Sequence, residues 1–166
     1  EDMPVPESFY EENRPDWVEA LTQANLRYEG WTAERLKREK AQYCGEVACI
    51  DYNVGKLLST LEEMGILDDT VIVFTTDHGE YMGEHALRAK DKLYETAYHI
   101  PLLIRWPARI KPGTEVERFV SIVDFQQTML SLLDVEPSGR EQGRDATVVM
   151  NGDDPDWADE VFFHSR

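Results

Sequence analysis

The chain has 166 residues, 42% of them hydrophobic, which is enough to bury a real core and unlike a disordered or fibrous composition. Seventeen Lys and Arg stand against 33 Asp and Glu, a formal charge of −16. Such a surface repels polyanions, which argues against a nucleic-acid partner. The same charge opposes a sulfated polysaccharide unless a bound cation or further sequence offsets it.

Residues 1–31 are acidic, carry Pro4, Pro6 and Pro15, and read as a loop or arm wrapping a larger body. From Thr32, placed to act as an N-cap, apolar residues recur at helical spacing: Leu36, Tyr43, Val47, Ile50, Val54, Leu57, Leu58 and Leu61. Gly65 is placed to stop this long helix. Its two cysteines, Cys44 and Cys49, are too few for a disulfide framework, lie off a common face and are expected as buried structural thiols. No apolar run approaches the ~20 residues of a membrane span.

After Asp68-Asp69, the run Thr70-Val71-Ile72-Val73-Phe74-Thr75 lacks polar alternation, which predicts a strand covered on both faces, as in a parallel sheet. A second strand is predicted over Pro101–Trp106, closed by Pro107 and the Lys111-Pro112-Gly113 turn. Asp124 is expected to cap a helix that buries Phe125, Met129, Leu132 and Leu133. Residues 136–146 and 151–160 read as loops, and Val161-Phe162-Phe163-His164 as the start of a strand. Helix, short turn and buried strand together are the grammar of an α/β layered fold.

The chemistry concentrates in Thr76–Lys90, which begins where the first strand ends. In open α/β sheets ligands gather at the carboxyl ends of strands, where loops converge on a rigid frame. Asp77-His78 there offers a hard oxygen and an imidazole nitrogen to a divalent cation. A helix cap beside a solvated histidine would leave the same dipeptide. Gly79 lets the chain turn away at once, and Gly83 lets the following loop fold back.

The order of the pieces carries more than any one of them. Tyr43, Ile50-Asp51, Val54-Gly55, Leu61, Gly65 and Asp69-Thr70 lead to Thr75-Thr76-Asp77-His78-Gly79. Gly83-Glu84-His85, Lys90, Tyr94-Glu95, Ile100-Pro101-Leu102, Trp106-Pro107, Val123-Asp124-Phe125, Thr128-Met129-Leu130 and Gly143 follow. This ordered set, running from Tyr43 to Gly143, resembles the sulfatase family of the alkaline-phosphatase-like superfamily. The resemblance implies an α/β/α layered sheet, with residues 32–166 as the carboxyl-terminal portion of its catalytic domain.

By that resemblance Asp77 and His78 are metal ligands, for calcium first and magnesium or manganese next, though His78 in hydrogen-bonding distance of the substrate oxyanion is the alternative. Lys90 matches the lysine that contacts the sulfate group, with Lys92 as competitor if the register shifts. His85 is either a substrate contact or a structural loop histidine. Glu80, Glu84, Arg88 and Glu95 are expected to be solvated or supporting, Asp51 a structural hydrogen-bonding residue, and His99 and His164 structural. The implied reaction is hydrolysis of a carbohydrate or aryl sulfate ester by a formylglycine nucleophile, made from a cysteine or serine in a Cys-x-Pro-Ser-Arg-like motif.

Neither Cys44-Gly45-Glu46-Val47 nor Cys49-Ile50-Asp51-Tyr52 is that motif, and Pro137-Ser138-Gly139-Arg140 lacks the preceding cysteine. The first acidic metal ligands of the family are also missing. The expectation is that Glu1 is not the native start, that an amino-terminal half supplies these groups, and that the 166 residues alone are inactive. Two rivals follow: a phosphodiesterase or phosphonate monoester hydrolase of the same superfamily, and a non-catalytic acidic binding module. A nucleotide-binding domain is disfavoured, because no Gly-rich phosphate loop follows any strand.

Overall fold

The computed structural model describes residues 3–12, 30–90, 93–150, 152 and 156–163. Two compact units emerge, one from residues up to Leu67 together with Val73–Leu103, the other from Asp68–Ile72 and from Ile104 onward. Helix α1 spans Ala33–Glu63, strand β1 Ile72–Thr75, helix α2 Glu95–Tyr98 and strand β2 Leu102–Arg105. Helix α3 spans Ile122–Leu132 and α4 Thr147–Met150, and β1 and β2 pair in one sheet. Among the described residues no helix is long and apolar enough to cross a membrane.

In the first unit, Thr32 caps α1 as its sequence implies: its backbone is extended, and its hydroxyl accepts from Arg35 N–H at 3.3 Å. Gly65, at φ +70, turns the chain out of the helix. Of the apolar stripe, however, Leu36 alone is buried, against Gly83. Val47 is 49% and Ile50 58% exposed, and Tyr43, Val54 and Leu57 are exposed with them. Cys44 and Cys49 are exposed free thiols, which corrects the expectation of burial, because no described residue outside α1 packs on either.

β1 is shorter than its apolar run and is not covered on both faces, since Phe74 and Thr75 are exposed. The core of this unit lies in the loops after the strand: Tyr81, Leu87 and Ala97, with Tyr94 and Tyr98 against them. A 3₁₀ turn at Glu7–Tyr10 packs on a second one at Glu84–Ala86.

In the second unit, the cap of α3 is Ser121, not Asp124. Ser121 is extended (φ −87, ψ 154), and Asp124 sits inside the first turn, its carboxylate accepting from Ser121 N–H at 2.9 Å. Ser-x-x-Asp here works as a reciprocal capping box, a pattern visible in the sequence one turn before the expected cap. The buried face is Asp124, Thr128 and Leu132, while Leu133 is exposed. Thr128 hydroxyl donates to Asp124 O (2.7 Å) and accepts from Ala146 N–H (2.9 Å), tying α3 to the start of α4. Ala146, Val149 and Trp157 complete this core with Val120. Val161–Phe163 is irregular and Phe162 is fully outside any core, so the expected strand is not formed there; His164 lies outside the described residues.

Candidate active site

The loop after β1 is shaped by one close approach. Gly79 N–H donates to Ala97 O at 2.9 Å, and a Cβ on Gly79 would stand 1.8 Å from Thr96 O. Only glycine lets the chain pass α2 this closely, and the passage fixes the two residues before it. The loop then folds back on itself. Tyr81 N–H donates to Ala89 O and Gly83 N–H to Leu87 O, both at 3.0 Å, and Glu80 Oε1 accepts from Ala89 N–H at 2.5 Å. Glu80, expected to be merely solvated or supporting, is thus one of the staples that return the chain to its starting point.

What returns is Lys90. Its Nζ lies 2.5 Å from His78 Nε2, and His78 Nδ1 lies 2.7 Å from Gly79 O. A carbonyl accepts only, so Nδ1 carries the ring proton and Nε2 presents its lone pair to the lysine ammonium. Asp77 Oδ1 accepts from His78 N–H (3.1 Å) and the Thr76 hydroxyl (3.3 Å), and Asp77 Oδ2 is 3.5 Å from His78 Nε2. Hydrogen bonding from its own backbone, then the charge of His78 and the Thr76 hydroxyl, holds the Asp77 carboxyl below its usual range. Asp77, His78 and Lys90 are therefore brought into one constellation, with the aspartate side chain 84% exposed and ionised. Lys92, the alternative lysine, lies outside the described residues.

His85 has partners of its own. Its Nδ1 lies 2.7 Å from Glu11 Oε2, its backbone N–H donates to Ser8 Oγ at 3.0 Å, and its ring stacks on Tyr94 at a 4.0 Å centroid distance. Ser8 and Glu11 belong to the acidic amino-terminal segment, 77 and 74 residues away in sequence. No spacing rule points to either, and sequence reasoning missed both. His99 pairs with Glu95 at 3.0 Å on the surface.

Among the described residues no group of three or more His, Cys, Asp or Glu is placed to hold a metal ion. The donor set fits a cation in part. Asp77 offers an exposed, ionised, hard oxygen. His78 fits less well as it stands, because its free nitrogen already accepts from Lys90.

A family profile described as Sulfatase matches residues 4–135. The chain belongs to the sulfatase family. It is 36% identical over 137 residues to an N-acetylglucosamine-6-O-sulfatase of Bacteroides thetaiotaomicron, a match covering 81% of this chain and 24% of that protein. A solved relative in complex with its substrate D-glucosamine-2-N,6-O-disulfate superposes with a TM-score of 0.70 at 36% identity, over 74% of this chain and 26% of the other. The phosphonate monoester hydrolase of Agrobacterium radiobacter superposes equally well, at a TM-score of 0.70 and 34% identity, over 80% of this chain and 27% of the other. The fold is thus α/β and of alkaline-phosphatase-like kinship, and the chain spans about a quarter of the length of these relatives.

Proposed function

We propose that the complete enzyme is a metal-dependent sulfatase that hydrolyses carbohydrate sulfate esters. The observation that carries this reading is Lys90 folded back onto His78 beside an ionised Asp77 at the end of β1. One Lys90 donor is used by His78, which leaves the ammonium two more for the oxygens of a sulfuryl group. A preorganised cation aimed at developing negative charge is worth far more in an active site than in water. It also offsets, locally, the repulsion that a chain of charge −16 exerts on a sulfate ester.

Asp77 would hold a divalent cation, calcium in the first instance, with His78 as a partner ligand once Lys90 turns toward substrate. Such an ion supplies Lewis-acid polarisation of the ester oxygens. Its remaining ligands and the formylglycine nucleophile belong to a segment beyond these 166 residues. Two things support that assignment: the chain spans 24% of its sulfatase relative, and the stripe Tyr43–Leu57 on α1 is exposed although its periodicity is that of a buried face.

The second reading is hydrolysis of phosphonate monoesters or phosphodiesters, favoured by the phosphonate monoester hydrolase at 34% identity. One experiment decides between them. The complete reading frame, expressed with formylglycine maturation, is assayed on an aryl sulfate and on an aryl phosphonate monoester. A kcat/KM favouring the sulfate by orders of magnitude supports the first reading, and the reverse preference replaces it with the second. A reading frame with no cysteine or serine motif for maturation would leave only the acidic binding module.

A further inference from the structure

The His85 ring is held at Nδ1 by Glu11 and on one face by Tyr94. Glu11 Oε2 at 2.7 Å fixes the proton on Nδ1, since an ionised carboxylate can only accept. Tyr94 stacks on the ring with planes 16° apart, and Ser8 Oγ holds the backbone N–H. The backbone itself is left-handed at His85 (φ 52) and at its neighbours Met82, Ala86 and Ala89. Such backbone is strained for residues other than glycine, so the turn persists because its contacts over-determine it. In the neutral ring, with Nδ1–H given to Glu11, Nε2 is left as a lone-pair acceptor, and no described residue bonds it.

His85 and Tyr94 form one wall of an open cleft whose other lining residues are Glu84, Glu95, Thr96 and His99. The two carboxylates and Nε2 are all acceptors. Such a wall repels a sulfate or phosphate and matches a ligand rich in hydroxyl donors. We propose that Glu11 is a positioning residue that acts through His85, fixing Nε2 as the acceptor for a hydroxyl of the saccharide part of the substrate. The inference rests on the sulfatase reading and extends it from the sulfate group to the alcohol half.

Two measurements test it together. Nitrogen-15 NMR of the His85 imidazole reports its tautomer without reference to activity. The Nδ1–H form dominates in the parent protein, persists in Glu11→Gln, whose amide oxygen still accepts, and gives way to a mixture in Glu11→Ala. Steady-state kinetics on the complete enzyme then compare 4-nitrophenyl sulfate, which has no hydroxyls, with glucosamine 6-sulfate. In Glu11→Ala the kcat/KM for the sugar sulfate falls about tenfold more than that for the aryl sulfate, mainly through KM, as expected for one misdirected hydrogen bond. Glu11→Gln restores most of the difference.

An equal loss on both substrates, or an unchanged tautomer in Glu11→Ala, overturns the proposal and leaves Glu11 as a loop anchor. If Glu11→Ala does not fold, Glu11→Gln and Ser8→Ala carry the test: Gln must keep the tautomer, and Ser8→Ala must keep it too, because Ser8 touches only the backbone. If the parent enzyme cleaves neither sulfate, the sulfatase reading fails on its own, while the NMR result still stands or falls for Glu11.

Discussion

Lys90 Nζ sits 2.5 Å from His78 Nε2, although twelve residues separate them in sequence. The two meet because the intervening loop is doubled back by Glu80, Tyr81 and Gly83, each bonded to the backbone of the returning strand of the loop. The lysine is thus held by an imidazole nitrogen rather than by a carboxylate. Its charge stays available to an incoming oxyanion instead of being neutralised in advance.

Lys90→Met tests that charge. It keeps the length and apolar stem and removes the ammonium. In the complete enzyme kcat falls by about 10²–10³, the scale for losing one preorganised electrostatic donor. The melting temperature moves little, because the contact is only partly buried and the methionine keeps the apolar stem of the lysine. A variant with normal kcat would remove Lys90 from the site.

The glycines give a contrast that calorimetry or thermal melts can read. Gly79→Ala puts a methyl 1.8 Å from Thr96 O, a backbone atom that cannot swing away, and destabilises the fold by about 3 kcal/mol. Gly45→Ala, in the middle of α1 with nothing within 4 Å, stabilises by about 0.5–1 kcal/mol through helix propensity alone. Opposite signs are the expected result. A neutral Gly79→Ala would mean that the loop does not pass α2 as closely as described.

Asp124 is the buried charge of the second unit, 1% exposed. Burial pushes its carboxyl up, but hydrogen bonds from Ser121 N–H, Arg144 N–H and the Arg144 guanidinium outweigh this and hold it below its ordinary 3.8. A carboxyl with a depressed folded pKa stabilises the fold above its unfolded value, and that contribution is lost as pH falls through the folded one. Asp124→Asn therefore costs about 1–3 kcal/mol at neutral pH, because a buried ionised acceptor of several hydrogen bonds becomes an amide, while Arg144 keeps its bonds to Ala158 O and Glu160 O. The gap between variant and parent narrows once pH drops below 3.8, which urea melts at a series of pH values would show.

What the sequence revealed divides along a physical line. Local signals were legible: Thr32 and Gly65 bound α1 where their chemistry says they should. Asp77, His78 and Lys90 were grouped by the family resemblance rather than by any local signal, and the fold places Lys90 beside His78. The cap of α3 was misplaced by three residues because Asp and Ser are equally good caps and the helical pattern alone does not choose between them. The Glu11–His85 pair was invisible, since a contact across 74 residues leaves no periodicity to read. Burial of the α1 stripe and of both faces of β1 was the largest miss. Hydrophobic pattern reports which face a residue belongs to, whereas exposure depends on whether anything is there to cover it.

That uncovered stripe sets the last prediction. Tyr43, Val47, Ile50, Val54 and Leu57 follow one another at steps of three and four and lie exposed along one side of α1. A contiguous apolar face of this kind drives association or dye binding in water. The 166-residue chain is expected to bind a hydrophobic fluorescent dye and to show concentration-dependent mass in sedimentation. Val47→Glu with Ile50→Glu should move it toward monomer without lowering its melting temperature, since both side chains are about half exposed and no described residue covers them. In the complete enzyme the same pair should lower the melting temperature by several degrees, because each would place a charge in a covered apolar interface. Equal tolerance in both contexts would show that the stripe stays exposed throughout, and that the remainder of the enzyme does not pack on α1.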